Sequence, residues 1–126
     1  MKLISFLDFL NENVRLYGYN KETKESIRIS PVDLIDELTD IIDEKYHKFL
    51  SNLSDGKFTE KNYDWEMHNA VLDEISTKEF RKKVINEIKD RKKYHDSIFS
   101  NNINVFDDFV KNFKIAYEQK LKMTIG

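Results

Sequence analysis

Residues 30–53 have the sequence SPVDLIDELTDIIDEKYHKFLSNL, and this stretch decides the fold class. Ser30 is a typical helix N-cap, and Pro31 suits the first helical position because the N–H that Pro lacks has no intrahelical partner there. Apolar side chains then recur with the 3.6-residue period of a helix that buries one face. They are Leu34, Ile35, Leu38, Ile41, Ile42, Tyr46, Phe49, Leu50 and Leu53. The pattern predicts one amphipathic helix over about residues 30–53.

The other face of this predicted helix is acidic, and the stretch contains no Lys or Arg before Lys45. Spacings of three and four residues set several carboxylates along one side of a helix, about 5.4 Å apart per turn. Such a row is similar in spacing to the phosphates of a nucleic-acid strand, so it would fit an Arg- and Lys-lined groove made for DNA or RNA. We interpret it as a partner-binding surface; the alternative is a solvated helix face, paired in part with the basic half of the chain. Its residues are Asp33, Asp36, Glu37, Asp40, Asp43 and Glu44.

Length and composition indicate one helical domain. A chain of 126 residues has the length of a single domain, and 40% hydrophobic residues are enough for a core. Its 1 Pro and 3 Gly are too few for the turns of a β-sandwich or barrel. The absence of Cys excludes disulfides and thiolate chemistry and suits a reducing cytosol. We expect a single cytoplasmic domain over residues 1–126, mainly α and built as a compact bundle of about five helices.

The segment before residue 30 predicts a first helix and then a β-hairpin. An apolar stripe that starts at Leu3 indicates a helix over about residues 2–13. Residues 14–19 and 26–30 then alternate between apolar and polar, with the polar sequence NKETKE between them. We expect a short hairpin over about residues 14–30, between helices 1 and 2. The alternative is a first helix that continues through Tyr17 to a C-cap at Gly18.

Three further helices are predicted after residue 53. Residues 54–56 (SDG) form a turn signal, and Thr59 or Asn62 is the expected N-cap of the next helix. Trp65 lies near the start of that helix, with Tyr63 and Met67, as an interface anchor or as core. Residues 76–77 indicate a break and a new N-cap, followed by a helix over about residues 78–99. A last helix is expected from about residue 104 to residue 123.

Charge divides the chain into an acidic and a basic part. Residues 1–76 carry 9 Lys and Arg against 16 Asp and Glu, and residues 77–126 carry 12 against 7. The net charges are therefore −7 and +5, which together give the −2 of the whole chain. One face of the helix after residue 77 could follow a phosphate backbone, although a solvated or internally paired face is the alternative. Its residues are Lys78, Lys82, Lys89 and Lys93.

Catalytic and metal-binding patterns are weak in this sequence. His47, His68 and His95 lie on three different predicted helices, and Glu44 stands three residues before His47 as in di-iron bundles. That spacing does not recur at the other two histidines, so we expect no metal site and no cofactor. A Gly-rich phosphate loop and a nucleophile elbow are also absent from the sequence.

These patterns favour a small non-enzymatic binding protein. We expect an inhibitor or adaptor that docks on a protein through the acidic helix, with a nucleic-acid-handling enzyme as the partner class. The Lys- and Asn-rich composition is typical of phage and mobile-element proteins, so an anti-defence protein of the anti-CRISPR type is the concrete hypothesis. One alternative is an immunity protein or antitoxin that neutralises a toxin. The other is a nucleic-acid-binding accessory protein that uses the Lys78–Lys93 face. We expect no membrane association.

Overall fold

The computed structural model describes residues 14–91 and 103–126, which are mostly helical with a small antiparallel sheet. The strands come first in this part of the chain, and the predicted helix over residues 2–13 lies outside it. No helix in the two described ranges is long and apolar enough to cross a membrane. The elements are β1 (Arg15–Tyr19), β2 (Ser26–Pro31), α1 (Val32–Ile41), α2 (His47–Ser54), α3 (Trp65–Ile75), α4 (Lys78–Arg91), α5 (Asn104–Gln119) and β3 (Lys122–Ile125).

The predicted hairpin over residues 14–30 is confirmed. β1 and β2 pair antiparallel, with an irregularity in register between Leu16 and Tyr17. Asn20 builds the connecting turn, because its side-chain oxygen accepts hydrogen bonds from the backbone N–H groups of Glu22 and Thr23, at 2.9 and 3.1 Å. An Asn side chain that bonds the backbone two residues on is a common way to stabilise a turn. Gly18 therefore lies inside a strand and does not cap a helix.

A third strand completes the sheet, and the prediction of a last helix to residue 123 is wrong at its end. α5 stops at Gln119, and Lys120 takes a left-handed backbone conformation at the C-cap, with φ 50° and ψ 52°. The chain then forms β3, which pairs antiparallel with β1, so the strand order is β2-β1-β3. β1 is therefore the central strand, and a Cβ on Gly18 would lie 2.7 Å from Cδ1 of Leu121. The absence of that Cβ lets the chain pass closely over the sheet.

The single helix predicted over residues 30–53 is interrupted. Ser30 belongs to β2 and caps nothing, and α1 begins at Val32 with Pro31 at the N-cap position. The helix ends at Ile41 because the backbone of Ile42 is extended. The side chain of Asp43 then accepts a hydrogen bond from the Lys45 N–H at 3.0 Å and starts a 3₁₀ turn over Glu44–Tyr46. A short polar side chain that bonds nearby backbone in this way competes with helix continuation.

Two helix starts can be compared with their predicted caps. The Thr77 hydroxyl accepts a hydrogen bond from the Phe80 N–H at 3.1 Å, which confirms the cap before α4. The cap of α3 is Asp64, whose side chain accepts from the Met67 N–H at 2.9 Å. Thr59 and Asn62 lie before α3, where the backbone N–H of each donates a hydrogen bond to the side chain of the other. Neither of them caps α3, so that prediction is wrong.

The core lies between the sheet and α5, with the remaining helices around it. α5 packs against β2 and α3, α1 packs against α2 and β2, and α4 packs against α3. The apolar residues predicted to be buried between Leu34 and Leu53 are buried, apart from the half-buried Ile41. The four largest side chains that are fully enclosed come from α4 and α5, and they are Phe80, Phe106, Phe109 and Phe113.

Candidate functional site

The predicted acidic surface is present on α1. Asp33, Asp36 and Asp40 are exposed, and Glu37 between them is half-buried. The opposite side of the helix carries Leu34, Ile35 and Leu38, each with 0% exposure, so the helix cannot turn its carboxylates inward. This separation follows from helical periodicity, which sets residues three and four apart on one side.

A further carboxylate, which the sequence did not suggest, joins this surface from the C-cap of α2. The pKa of Asp36 is raised above its ordinary value, mainly by partial burial and then by the negative charges of its neighbours, which include Asp55. The side chain of Ser54 partly opposes the shift. We use the name "acidic face" for this group, which consists of Asp33, Asp36, Glu37, Asp40 and Asp55.

Two residues predicted to continue the row do not continue it. Asp43 and Glu44 follow the extended backbone of Ile42, so the helical spacing of the carboxylates ends at Asp40. The side chain of Asp43 accepts a hydrogen bond from the Lys45 N–H and thereby stabilises the 3₁₀ turn. The predicted six-residue row is therefore shortened, and the break between α1 and α2 is the reason.

The basic face of α4 is exposed where the structure describes it. Lys78, Lys82 and Lys89 are all exposed, and Lys93 lies outside the described residues. Arg81 on the same helix binds both carboxylate oxygens of Asp107 on α5, at 3.1 and 3.0 Å, which raises the pKa of Arg81.

The acidic and basic helices pack against different neighbours. Ion pairs within residues 14–91 and 103–126 join Lys21 to Glu60, Lys57 to Asp55, and Arg81 to Asp107. None of these three pairs links α1 to α4.

Two of the three histidines are described, and His68 is fully buried. Its Nε2–H donates to the carbonyl oxygen of Phe113 at 2.9 Å, and its Nδ1 accepts from the Tyr63 hydroxyl at 2.6 Å. Burial, with a smaller effect of the nearby Lys120 charge, lowers the pKa of His68 to about 4. The ring is therefore neutral at ordinary pH, and a metal could bind it only by displacing one of these bonds.

The described part of the chain contains no group of three or more potential metal-ligating side chains. The ring of His47 is bonded through Nε2 to the carbonyl oxygen of Ile42 at 2.9 Å, and His95 lies outside the described residues. The three-histidine idea gains no support from these positions.

Interface anchor and core were the two predicted roles of Tyr63, Trp65 and Met67. All three side chains are half-buried, which lies between the two roles. The rings of Tyr63 and Trp65 pack edge to face with centroids 4.6 Å apart. Behind them His68 stacks on Phe113 at 3.6 Å. Burial raises the pKa of the Tyr63 hydroxyl, and the charge of Asp64 adds to this effect. This aromatic group is the outer edge of the core, and one side of it borders a cleft.

That cleft, with a volume of about 440 Å³, lies between the β1–β2 turn, the segment before α3, and the α5–β3 connection. We call it the lysine cleft, because Lys21, Lys120 and Lys122 contribute to its lining together with Trp65 and Glu60. The sequence did not predict this cleft, because a helix was expected to residue 123 where the structure has the α5–β3 connection. A usable signal was present in the sequence, since Leu121, Met123 and Ile125 alternate with polar residues in the manner of a strand.

Comparison of the chain with protein-family models, curated proteins and solved structures finds no match. Its function is therefore inferred from its own surfaces.

Proposed function

We propose that this protein is a small non-enzymatic binding protein that docks on a protein partner through the acidic face. The observation that supports this most directly is the row of exposed carboxylates on α1, Asp33, Asp36 and Asp40, opposite the buried side of the helix. Carboxylates that repel one another in the free protein gain interaction energy when a partner brings Arg or Lys side chains between them. The ionised form of Asp36 is disfavoured in the isolated fold, and basic side chains of a partner would offset that cost.

The partner class that fits this face best is an enzyme with a basic groove for nucleic acid. Along a helix, the distance from residue 33 to residue 40 is about 10 Å, over which one DNA strand presents about three phosphates. The acidic face can therefore occupy the groove in place of a strand. An anti-defence inhibitor, such as an anti-CRISPR protein, is the concrete form of this proposal. An immunity protein or antitoxin would dock in the same manner on a toxin.

Charge reversal on the acidic face tests the proposal. The double variant Asp36→Lys/Asp55→Lys changes two exposed carboxylates and leaves the buried side of α1 intact. Its matched control is Asp73→Lys/Asp90→Lys, which makes the same change of charge at exposed positions of α3 and α4. A partner is first captured by the wild-type protein and identified by mass spectrometry, and its affinity for each variant is then measured with purified components by calorimetry.

We expect the acidic-face variant to bind at least about tenfold more weakly, because two attractive contacts become repulsive, and the control to bind within about twofold of the wild type. Circular dichroism confirms that both variants are folded. Equal affinity of the folded acidic-face variant and its control would remove the acidic face from the mechanism. A partner without a nucleic-acid groove would favour the immunity-protein alternative.

The exposed lysines of α4 support a second candidate, direct binding of duplex nucleic acid. Lys78, Lys82 and Lys89 stand on one side of the helix and are open to solvent. Phosphate binding of this kind predicts duplex retardation at about 50 mM salt that disappears as salt rises. The variant Lys82→Glu/Lys89→Glu should abolish that retardation. If the wild-type protein does not retard a duplex at low salt, this candidate is excluded.

A further inference from the structure

The lysine cleft is assembled from three segments that are far apart in the sequence. Tyr19 and Lys21 come from the β1–β2 turn, Trp65 from the start of α3, and Lys120 and Lys122 from the chain after α5. A hydrogen bond from the Asn20 amide to the side-chain oxygen of Gln119, 3.4 Å long, joins two of these segments at the rim. The volume of the lysine cleft, about 440 Å³, is within the range of small-molecule sites, about 300–1,000 Å³.

Positive charge at this cleft is only partly neutralised. Lys21 forms an ion pair with Glu60, whereas Lys120 and Lys122 have no carboxylate within ion-pair distance among the described residues. The hydrogen bond from Lys21 is the main cause that lowers the pKa of Glu60, and the positive charge of Lys122 adds a smaller effect. A ligand that enters the cleft therefore meets two ammonium groups available for an anion.

Lys120 occupies a backbone position that favours glycine. Its φ of 50° is in the left-handed region, where a side chain costs backbone energy and where helices commonly end on Gly. The Nζ of Lys120 lies 3.3 Å from the ring centroid of Tyr117 and 4.9 Å from that of Trp65. These are cation–π contacts at an open site, which are weak enough for the ammonium to move to a better partner.

We infer that the lysine cleft binds a nucleotide, either free or at the end of a single strand, with its phosphate held by Lys120 and Lys122 and its base packed on Trp65. Lysine ammonium groups are ordinary phosphate ligands, and an aromatic ring is a platform on which any base can stack. When a phosphate draws Lys120 away from the indole, it uncovers the ring surface that the base needs. This site is separate from the acidic face, so the two proposals can fail independently.

Trp65 makes the cleft directly observable because it is the single Trp of the chain. Tryptophan fluorescence of the full chain, excited at a wavelength where adenine does not absorb, is titrated with adenosine 5′-monophosphate, adenosine, inorganic phosphate and a hexadeoxyadenylate. We expect saturable quenching by the monophosphate at or below about 1 mM, with much weaker effects of adenosine or phosphate alone. Tighter binding of the hexanucleotide than of the monophosphate would identify a strand end as the ligand, and the reverse order a free nucleotide. If neither nucleotide probe quenches Trp65 at several millimolar, the inference is wrong.

Variants connect the signal to the two lysines. Lys120→Gly/Lys122→Ala should weaken binding at least about tenfold while the fold is retained, since Gly suits the left-handed position. Lys120→Arg/Lys122→Arg should restore binding to within a few-fold, because Arg also binds phosphate. The control Lys111→Ala/Lys114→Ala removes the same charge from exposed positions of α5 and should bind as the wild type does. Equal loss in the control and the cleft variant would attribute quenching to net charge and overturn the inference.

Discussion

The buried imidazole of His68 makes the stability of the core depend on pH. Its two ring nitrogens are bonded to the Tyr63 hydroxyl and the Phe113 carbonyl oxygen, and burial disfavours the charged ring. In the unfolded chain the pKa of His68 returns to the ordinary 6.5, against about 4 in the folded protein. The unfolded state therefore binds a proton more readily throughout the range between these two values.

The first prediction is a loss of stability as pH falls from about 6.5 towards 4. A difference of two to three pKa units corresponds to roughly 3 kcal/mol of unfolding free energy, present in full above the unfolded pKa. His68→Gln keeps a donor and an acceptor but does not titrate. Urea unfolding of both proteins between pH 7 and 4.5 should show a steeper decline for the wild type. Parallel curves would contradict the assignment.

The pKa of Asp36 is raised, whereas a carboxylate that stabilises the fold has a lowered pKa. Its raised pKa means that the ionised form is disfavoured in the folded protein, so its charge costs stability at neutral pH and the cost disappears below its ordinary pKa of 3.8. The second prediction is that Asp36→Asn raises the free energy of unfolding at pH 7 by a few tenths of a kcal/mol, the size of a like-charge helix contact. Thermal melts at low salt measure this gain. About 1 M salt should remove only the part of the gain that comes from the neighbouring carboxylates and leave the part that comes from burial. No gain at low salt would contradict the prediction.

At the scale of elements, the contact between β1 and the chain after α5 depends on Gly18. A Cβ there would lie 2.7 Å from Cδ1 of Leu121 and 3.3 Å from Cδ1 of Ile29. The third prediction is that Gly18→Ala destabilises the protein by about 1–3 kcal/mol, the usual cost of overpacking. Gly126→Ala is the control, since its nearest neighbours would be 3.9 Å from the new Cβ.

Chemical denaturation of the two alanine variants measures the difference. Leu121→Val removes the δ carbon that the new methyl group would meet, so the cost of Gly18→Ala should be smaller in the Leu121→Val background. This non-additivity is expected for residues in contact. Strictly additive effects would show that the two side chains do not collide.

The elements that could be predicted are those specified by local pattern. The apolar stripe between residues 34 and 53 and the Thr77 cap follow from the periodicity and capping chemistry of neighbouring residues. The break after Ile41 is different, since α2 also packs on residues that come later in the chain. Phe49 packs on Phe58 and Tyr63, with ring centroids 5.2 and 5.8 Å away. Residues 30–53 include Asp43, which starts the 3₁₀ turn, but they do not include these later aromatic partners of α2.

β3 shows the same limitation over a longer distance. Leu121 fits both the helical period of the preceding residues and the alternation of a strand, so local pattern does not separate the two structures. The choice is made by β1, whose backbone pairs with β3 from about a hundred residues earlier. Strand pairing depends on context of this kind more than helix formation does.

On the scale of the whole molecule, the two charged surfaces differed in how well the sequence predicted them. The acidic face lies mostly on one helix, so spacing along the chain was enough to find it, apart from Asp55. The lysine cleft joins residues 19–22, 59–65 and 119–123, which become neighbours only in the folded protein. The strand alternation after residue 120 indicates one of these segments, but no sequence pattern indicates that the three segments meet.

The position of β3 has a consequence for synthesis on the ribosome. Backbone hydrogen bonds of 3.1 Å in both directions join Arg15 to Gly126. The pairing of β1 with β3 can therefore be completed only after residue 126 has been synthesised. The hairpin can form early, because β1 and β2 are adjacent in the nascent polypeptide. The edge of β1 and the lysine cleft, in contrast, are completed only when residues 120–126 have left the exit tunnel. A stalled or prematurely released chain would expose an open strand edge, which is a target for aggregation and for chaperones.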